Sequence, residues 1–495
     1  MKTLKIYGPP GTGKTSRMLQ LMDEELKAVK PSRLAFMTFT RAARLEALSR
    51  ASLTEDELPF VRTIHAVCYR MLNVGHEQMV RPYLLKQFGK KIGVELSGTN
   101  ADTFSLDAVT IAAGTSKGDA LLQLNHLGRH RRIHLKEAMK DAPTDIDWHF
   151  AKWFTESYRA WKTAEGLYDY TDLLTNYLEK GLPLPIDVIF IDEAQDLSLL
   201  QWQVVRKLGQ NAKRRYLAGD DDQAIFTWAG AAPELFNDEP TDENEVLPRS
   251  YRIPRRVHEV SQKIIGRVRK RFPKEFESRE EIGEHRAVGS LTHDLLGDAT
   301  TFVLYRNHHR GRALAETLES LGWPYDGSFS PLGQPQVRGA LRCYLRLQEG
   351  KATSVSDARD FVDLAAPEVL TTGAKRTANV SRGEIAADLL VRRNISKMRL
   401  AQVLPKLPKL DYLDAQARTA GLNSLLHPSV TLMSIHQSKG READTVILDL
   451  EMATKTYDGY LREPDAEHRV FYVGVTRAKQ RLLTLLPTDA AAYQL

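Results

Sequence analysis

The chain opens with a glycine-rich loop set between an apolar segment and an amphipathic one. Residues 4–7 are largely apolar, residues 8–15 read GPPGTGKT, and residues 16–29 carry apolar side chains at helical spacing. In such a strand–loop–helix unit, the glycines let backbone N–H groups wrap phosphates, and the helix N-terminus attracts the anion. The pattern predicts a nucleotide-binding P-loop on an α/β sheet. The predicted nucleotide-binding residues are Gly8, Pro9, Pro10, Gly11, Thr12, Gly13, Lys14, Thr15, Ser16 and Arg17.

Two acidic residues follow a second apolar segment. Residues 186–191 are mostly apolar, as expected for a buried parallel strand, and Asp192 and Glu193 come directly after them. Ligands bind at the carboxyl ends of strands in open α/β sheets. With Lys14 on the β- and γ-phosphates, Thr15 and Asp192 are the candidate Mg²⁺ ligands, and Glu193 is the candidate base that orients the attacking water. The sequence therefore predicts hydrolysis of Mg²⁺-bound ATP.

Further motifs follow in a fixed order. They are TFTRAA at 38–43, TIH at 63–65, YDYTDLL at 168–174, LAGDDDQAIFTWAGA at 217–231, RSYR at 249–252, LYRN at 304–307, LMSIHQSKGRE at 432–442 and FYVGVTRA at 471–478. With the P-loop and DEAQD at 192–196, this set resembles the UvrD/Rep/PcrA helicases of superfamily 1A over nearly the whole chain. The resemblance implies an ATP-dependent DNA helicase that needs Mg²⁺ and moves 3′-to-5′ on single-stranded DNA.

The resemblance also assigns roles around the nucleotide. It implies that Gln223 senses the γ-phosphate and that Arg252 and Arg477 are two arginine fingers. Tyr251 resembles the aromatic residue that stacks on adenine. Gly440 and Glu442 belong to the motif that contacts the ribose, with Glu442 as the contact. Because an arginine finger contributes on the order of 10³–10⁵ in rate, Arg252 and Arg477 are placed in the catalytic set with Lys14, Asp192, Glu193 and Gln223. Tyr251, Gly440 and Glu442 are predicted to bind the nucleotide.

The residues that the resemblance implies for nucleic-acid binding are Thr38, Thr40, Ile64, His65, Phe226, Trp228 and His436. Stacking on Phe226 and Trp228 would contribute about 1–3 kcal/mol per base, although Trp228 has the alternative of being a core tryptophan. Ile64 stands where the family commonly has Phe, and Ala229 where it often has Arg. We therefore expect one weakened stacking platform and one missing backbone contact.

The charge balance favours a polyanionic partner. The formal net charge is +6, and the basic runs at 129–136 and 267–274 are either solvated helix faces or phosphate contacts. The first run is the better candidate for DNA because it lies in a region expected near the duplex. Cys68 and Cys343 are too few and too distant for a zinc site or a disulfide framework. The sequence shows no signal peptide and no apolar run of membrane-spanning length, so a soluble cytoplasmic protein is expected.

Motif order predicts the architecture: two RecA-like parallel-sheet domains form one ATP cleft, each with a mostly helical insertion. Residues 1–72 and 150–245 form the first domain, and 73–149 its insertion. Residues 246–345 and 426–495 form the second domain, and 346–425 a reduced insertion. Within this last segment we expect helices over 358–369 and 385–400.

Three alternatives stay open at this point. A translocase that displaces proteins but unwinds little is suggested by the short second insertion and the weakened stacking set. An ATP-switched nucleic-acid-binding regulator is disfavoured by the presence of Glu193, Arg252 and Arg477. The expected partners are single-stranded DNA and DNA junctions, with accessory replication or repair proteins. RNA is an open alternative substrate because the implied backbone contacts do not obviously read a 2′-OH.

Overall fold

The computed structural model describes residues 1–38, 54, 56–98, 116–141, 146–297, 299–379, 383–392 and 395–495. These residues form two compact units, each assembled from three stretches of chain. Unit 1 comprises Met1–Arg252, Ile265–Arg279 and Asp465–Tyr472. Unit 2 comprises Ile253–Ile264, Glu280–Pro464 and Val473–Leu495.

Unit 1 is built on a six-stranded parallel sheet. Its strands are β1 (Lys2–Tyr7), β2 (Leu34–Met37), β3 (Phe60–Arg62), β4 (Val188–Ile191), β5 (Arg214–Gly219) and β6 (Glu243–Val246), in the order β3-β2-β4-β5-β1-β6. Both β2 and β4 are apolar and buried along their whole length, as expected for central parallel strands. Apolar clusters cover both faces of the sheet.

The helices of unit 1 surround this sheet and form a smaller helical subdomain. They are Lys14–Leu26, Ile64–Met71, Pro82–Ile92, Lys117–Arg131, Leu135–Ala138, Trp148–Glu165, Tyr170–Lys180, Leu199–Leu208 and Pro233–Asp238. In the subdomain, Leu85 and Phe88 share a core with Phe154 and Tyr158. The helix Tyr170–Lys180 begins with a capping box in which Asp169 and Asp172 each accept the other's backbone N–H.

Unit 2 contains a second six-stranded parallel sheet. Its strands are β7 (Glu284–Val288), β8 (Thr301–Tyr305), β9 (Tyr325–Asp326), β12 (Val430–Ser434), β13 (Ala443–Asp449) and β14 (Ala478–Leu485), in the order β7-β14-β13-β8-β12-β9. A two-stranded antiparallel ribbon joins β10 (Thr353–Ser354) to β11 (Glu384–Ile385). The predicted fold class, α/β with two parallel-sheet domains, is confirmed.

The helices that lie wholly or mainly in unit 2 are Arg255–Ile265, His308–Ser320, Pro335–Gln348, Val355–Leu364, Ala374–Ala378, Ala387–Leu390, Leu400–Val403, Leu410–Thr419, Leu422–Leu426 and Thr454–Arg462. The helix Pro464–Val475 contributes residues 465–472 to unit 1 and its last three residues to unit 2. The predicted boundaries of the two domains and their two insertions stay predictions.

Buried apolar residues of the segment 346–425 form one core together with residues of the preceding stretch that begins at Leu332. The helix expected over 358–369 begins earlier and ends at Leu364. The helix expected over 385–400 is wrong. Residues 384–385 are a strand, and the helix after them ends at Leu390 because Val391 bridges to Leu370. Residues 393 and 394 of the expected helix lie outside the described residues.

Candidate nucleotide and nucleic-acid site

The P-loop leaves β1 and enters the helix Lys14–Leu26 through backbone conformations that glycine permits. Gly11 and Gly13 have φ values of 73° and 80°, in the left-handed region. At Gly8, a Cβ atom would lie 2.6 Å from Lys14 Cβ, so any side chain there would displace the lysine. Thr12 Oγ1 closes the loop by donating to the Pro9 carbonyl over 2.8 Å. The loop therefore has the shape that a phosphate cradle requires.

Lys14 and Thr15 lie against the acidic end of β4. Lys14 Nζ is 2.8 Å from Glu193 Oε1, and Thr15 Oγ1 donates to Asp192 Oδ2 over 3.1 Å. Burial lowers the pKa of Lys14, but the Glu193 and Asp192 carboxylates outweigh it and the net shift is upward. Burial and the neighbouring Glu193 raise the pKa of Asp192 to about 6. A hydroxyl and a carboxylate side by side are hard oxygen donors of the kind Mg²⁺ prefers, so these residues fit the implied ion.

Glu193 adopts a conformation that non-glycine residues rarely take. Its φ and ψ are 50° and 40°, in the left-handed region. Such strain persists where the surroundings over-determine the residue, which is common at active sites. Here the carboxylate is held between Lys14 Nζ and Gln195 Nε2, which donates to Glu193 Oε2 over 2.5 Å.

Gln195 is a site residue that sequence reasoning missed. It is fully buried, and its Oε1 accepts the backbone N–H of Asp220 over 2.9 Å. Asp220 Oδ2 in turn accepts from Gln223 Nε2 over 2.7 Å. A continuous polar path thus joins Lys14 to Gln223 through Glu193, Gln195 and Asp220. The signal that would have found it is the amide at the fourth position of DEAQD.

The basic run at 267–274 divides into an exposed part, Arg267, Arg269 and Lys270, and a part held by carboxylates, Arg271 and Lys274. Arg271 forms two hydrogen bonds to Asp222, of 2.7 and 2.6 Å, and Lys274 is buried among three carboxylates. The oxygens of Asp220, Asp221 and Asp222 lie within 4.8 Å of one another, a spacing that suits a metal ion. The Lys274 ammonium already lies among them, 3.2 Å from Asp220 Oδ1 and 3.0 Å from Asp222 Oδ2. The expectation of a solvated face therefore fails for Arg271 and Lys274, because buried carboxylates bind these two cations.

The segment 249–252 lies directly on the P-loop. Ser250 Oγ donates to the Pro10 carbonyl, and Tyr251 N donates to the Gly11 carbonyl, each over 2.8 Å. The Tyr251 ring is 72% exposed, and its Cε2 lies 3.9 Å from where a Cβ on Gly13 would be. A large part of that ring is therefore free to meet a base.

Arg252 and Arg17 also lie in unit 1 beside the nucleotide loop. Arg252 Cβ is 2.4 Å from where a Cβ on Gly11 would be, so Gly11 is needed for the two segments to meet. Arg17 Nε donates to Glu245 Oε1 over 3.0 Å, which fixes the first turn of the helix after the P-loop to β6.

Unit 2 holds the remaining predicted nucleotide residues, Arg477, Gly440 and Glu442, and the predicted nucleic-acid residue His436. Arg477 is buried, and its guanidinium donates to the carbonyls of Val473 and Arg441 over 2.9 and 3.3 Å. Gly440 has a φ of 77°, and both Gly440 and Glu442 are exposed on the loop that precedes β13. His436 lies half-buried in a short 3₁₀ turn, His436–Ser438, after β12.

The predicted nucleic-acid residues of unit 1 differ in exposure. Thr38 is buried directly after β2, and Thr40 lies outside the described residues. Ile64 is 4% exposed and packs in the core of the unit. His65 meets the edge of Tyr170 at 5.8 Å, and burial lowers its pKa to about 4. Phe226, at 5% exposure, is buried.

Trp228 is half-buried in the aromatic loop, which we define as residues 226–231. Arg131 Nη2 donates to the Thr227 carbonyl over 3.0 Å. Gly230, with a φ of 103°, lies where a Cβ would be 3.3 Å from His130 Cβ. The helix Lys117–Arg131 thus supports this loop from the side of the helical subdomain.

The first basic run is likewise largely built into the fold. Arg129 pairs with Asp169 and Asp172, whose oxygens lie 3.0 and 2.5 Å away. His130 is buried, with Nδ1 2.9 Å from Ser198 Oγ. Arg132 is exposed in a left-handed conformation after the helix. Among residues 129–132, Arg132 is therefore the candidate that remains for a contact with a DNA phosphate.

No helix in the described ranges is both long enough and apolar enough to span a bilayer.

Comparison with known proteins gives two family matches. The model of the UvrD/REP helicase N-terminal domain matches residues 1–244, and the model of the UvrD-like helicase C-terminal domain matches residues 393–486. The ATP-dependent DNA helicase PcrA of Bacillus subtilis is 21% identical over an alignment of 606 positions, which covers 97% of this chain and 80% of that protein. The ATP-dependent DNA helicase UvrD2 of Mycobacterium tuberculosis is 25% identical over an alignment of 542 positions, which covers 95% of this chain and 75% of that protein.

A probable DNA helicase II homolog of Mycoplasma capricolum is 23% identical over 315 residues. That alignment covers 57% of this chain and 41% of the Mycoplasma protein, so the match spans less than half of that relative.

Proposed function

Because this chain belongs to the UvrD/REP helicase family, we propose that it is an ATP-dependent DNA helicase that moves 3′-to-5′ on single-stranded DNA and separates duplex DNA. The polar path from Lys14 through Glu193, Gln195 and Asp220 to Gln223 carries the proposal. It joins the P-loop, the acidic strand end and the glutamine that resembles the family's γ-phosphate sensor. A simple nucleotide-binding protein needs the first of these but not the other two.

The chemistry follows from where these groups lie. Lys14 supplies a fixed positive charge for the β- and γ-phosphates, and Glu193 orients the water that attacks the γ-phosphorus. Thr15 and Asp192 would hold Mg²⁺, which neutralises charge on the phosphate oxygens when bound. Lys14 Nζ lies 2.8 Å from Glu193 Oε1, so the lysine and the proposed base form an ion pair. An entering phosphate competes for Lys14 and leaves the Glu193 carboxylate available to a water molecule.

The arginines complete the proposed site. Arg252, beside Gly11, and Arg477, at the end of the helix Pro464–Val475, are the proposed fingers for the transferring phosphoryl group. Tyr251 offers its exposed ring to adenine, and Glu442 its carboxylate to the ribose. Since charge stabilisation dominates phosphoryl transfer, these arginines set the rate more than they set the affinity for ATP.

The proposed DNA track includes the aromatic loop. Trp228 is half-buried in this loop, and stacking of a base on its ring is part of the proposal. Gln223 is three residues from Phe226, so a change at the γ-phosphate reaches this loop through a short stretch of backbone. This proximity supports a motor in which hydrolysis alters the grip on one strand.

The translocase alternative is favoured by one observation. The described residues of the segment 346–425 pack around an apolar core whose members run from Leu332 to Leu426. A small module of this kind offers less surface to a duplex than a large insertion. It is compatible with movement along a single strand and weak strand separation.

A strand-displacement assay tests the proposal. Substrates with a 3′ tail, a 5′ tail or blunt ends are compared, with DNA and RNA as the tracking strand, and Lys14→Ala is the control without hydrolysis. We expect ATP-dependent separation of the 3′-tailed DNA substrate only. Hydrolysis stimulated by single strands without separation would favour the translocase. Equal use of 5′ tails would overturn the polarity, and binding without any turnover would favour the ATP-switched regulator.

A further inference from the structure

We propose that Lys274 is a positioning residue for ATP hydrolysis, which acts by holding the Asp220–Asp222 turn so that the Gln223 amide keeps its orientation. This inference rests on the proposed function. Lys274 lies in none of the motifs that resemble the helicase family. It belongs to the segment Ile265–Arg279, which we name the clasp. In sequence the clasp lies between two stretches of unit 2, but it is part of unit 1.

Lys274 is the centre of a buried charge cluster. Its side chain is 1% exposed, and Nζ contacts Asp220, Asp221 and Asp222. Burial lowers the pKa of Lys274, but the three carboxylates outweigh it and raise that pKa. Arg271 adds a second cation on Asp222. Removing the ammonium would leave three buried carboxylates with one cation, an arrangement that is strongly unfavourable.

Asp220 transmits the effect of Lys274 to Gln223. Its Oδ1 lies 3.2 Å from Lys274 Nζ, and its Oδ2 accepts from Gln223 Nε2 over 2.7 Å. One carboxylate is therefore held on one side by the clasp and on the other by the proposed γ-phosphate sensor. Without Lys274, Asp220 would take up a proton or rotate, and either change alters the partner of the Gln223 amide.

The clasp is anchored on the strand that leads into the P-loop. Phe272 stacks on Tyr7, with ring centroids 3.9 Å apart and planes at 5°, and Tyr7 directly precedes Gly8. Phe272 N also donates to Asp221 Oδ2 over 2.8 Å. Lys274 is thus fixed relative to β1 as well as to the Asp220–Asp222 turn, as a positioning role requires.

A purely structural role for Lys274 predicts different kinetics from a positioning role. A structural role would change stability, or kcat and the KM for ATP together. A role through Gln223 would lower kcat with little change in KM, and the effect would disappear once Gln223 is removed, because residues acting as one unit are not additive.

The experiment measures kcat and KM for ATP with saturating single-stranded DNA. Lys274→Met is compared with Lys270→Met, the same substitution at an exposed position of the clasp, in the wild type and in Gln223→Ala. We expect Lys274→Met to lower kcat by about 10- to 100-fold in the wild type, as for a misplaced catalytic group. We expect KM to stay within about threefold and no further loss of kcat in Gln223→Ala.

Each outcome decides the proposal. A kcat equal to that of Lys270→Met, or an equal loss in both backgrounds, would overturn it. If Lys274→Met is insoluble, Lys274→Gln, which removes the charge beside Asp220 but keeps a hydrogen-bond donor, is measured in the same cycle against the same criteria. An inactive wild type would instead refute the proposed function, whereas an active wild type with a Lys274→Met kcat equal to that of Lys270→Met refutes this inference alone.

Discussion

Replacing Arg131 with methionine should weaken binding of single-stranded DNA without changing how that binding depends on salt. Arg131 Nη2 donates to the Thr227 carbonyl over 3.0 Å, within the loop that carries Trp228. The charge of Arg131 is therefore used inside the protein. Methionine keeps much of the side-chain length and removes the donor, so the change is directed at the loop and not at the helix.

The structure bounds the size of the effect. Loss of a hydrogen bond to a charged donor costs about 1.5–3 kcal/mol. This lost free energy lowers DNA affinity only if base stacking requires the loop to be ordered. The change in binding free energy is then limited to the stacking contribution, about 1–3 kcal/mol. Because about 1.4 kcal/mol is tenfold in an equilibrium constant, we expect affinity to fall by about 5- to 150-fold.

Fluorescence anisotropy with a labelled oligothymidine, repeated at several salt concentrations, measures both quantities. Arg132→Met is the matched control, because Arg132 is the exposed neighbour. If Arg132 contacts a phosphate, its loss should reduce the slope of log K against log salt by about 0.7. A reduced slope for Arg131→Met with a small loss of affinity would refute the reasoning, since it would mean that Arg131 contacts DNA and not Thr227.

Four further outcomes are expected. Glu193→Gln should retain ATP binding but lower turnover on the order of 10²-fold or more, because the water loses its base, and near-normal turnover measured by phosphate release would remove Glu193 from that role. Arg252→Ala and Arg477→Ala should each lower DNA-stimulated kcat by at least about 10²-fold with little change in DNA affinity; normal hydrolysis in either variant would make that arginine structural. Trp228→Ala should weaken single-strand binding by about 1–3 kcal/mol and reduce unwinding more than ATPase activity, whereas unfolding of this variant would identify Trp228 as a core residue. Burial lowers the pKa of His126 to about 4, below its value of about 6.5 in the unfolded chain. The unfolded chain therefore takes up the proton first as pH falls from 6.5 to 4, and His126 should reduce the free energy of unfolding by about 2 kcal/mol at pH 5 relative to pH 7.5. Urea unfolding of the wild type and His126→Gln checks this, and an equal pH dependence in both would count against it.

The parts of this protein that sequence could predict are those with a local signature. GPPGTGKT between a strand and a helix predicts a phosphate loop, and an apolar run ending in Asp192 predicts a strand that ends at the ligand edge of a sheet. The parallel sheets and the family follow from such motifs, and both predictions are confirmed.

The parts that could not be predicted depend on pairing between distant residues. A run such as RVRKRFPK at 267–274 looks solvated because nothing near it in sequence opposes its charge. Its partners, Asp220 to Asp222, come about fifty residues earlier. Gln195 looks like an ordinary member of DEAQD until the backbone of Asp220 is seen to donate to it. The wrong helix over 385–400 failed for a similar reason, since the Leu370–Val391 bridge is a tertiary contact.

The three-part composition of unit 1 has a consequence for how the protein is made. During translation, Asp221 is synthesised before its side-chain partner Lys274. Its backbone carbonyl accepts from Arg469 over 2.9 Å, and Arg469 is synthesised 248 positions later. At about 5–20 residues per second, the delay before Arg469 is about 12–50 s. During that time the nascent chain holds a nucleotide loop whose neighbouring acidic turn lacks this partner.

The same composition limits how unit 1 can be divided. A fragment that ends at Arg252 contains every P-loop residue but not the clasp. It would leave three carboxylates together, without Lys274 and Arg271 to neutralise them, and they would take up protons or separate. An autonomous nucleotide-binding fragment must therefore extend at least through Lys274, within the clasp.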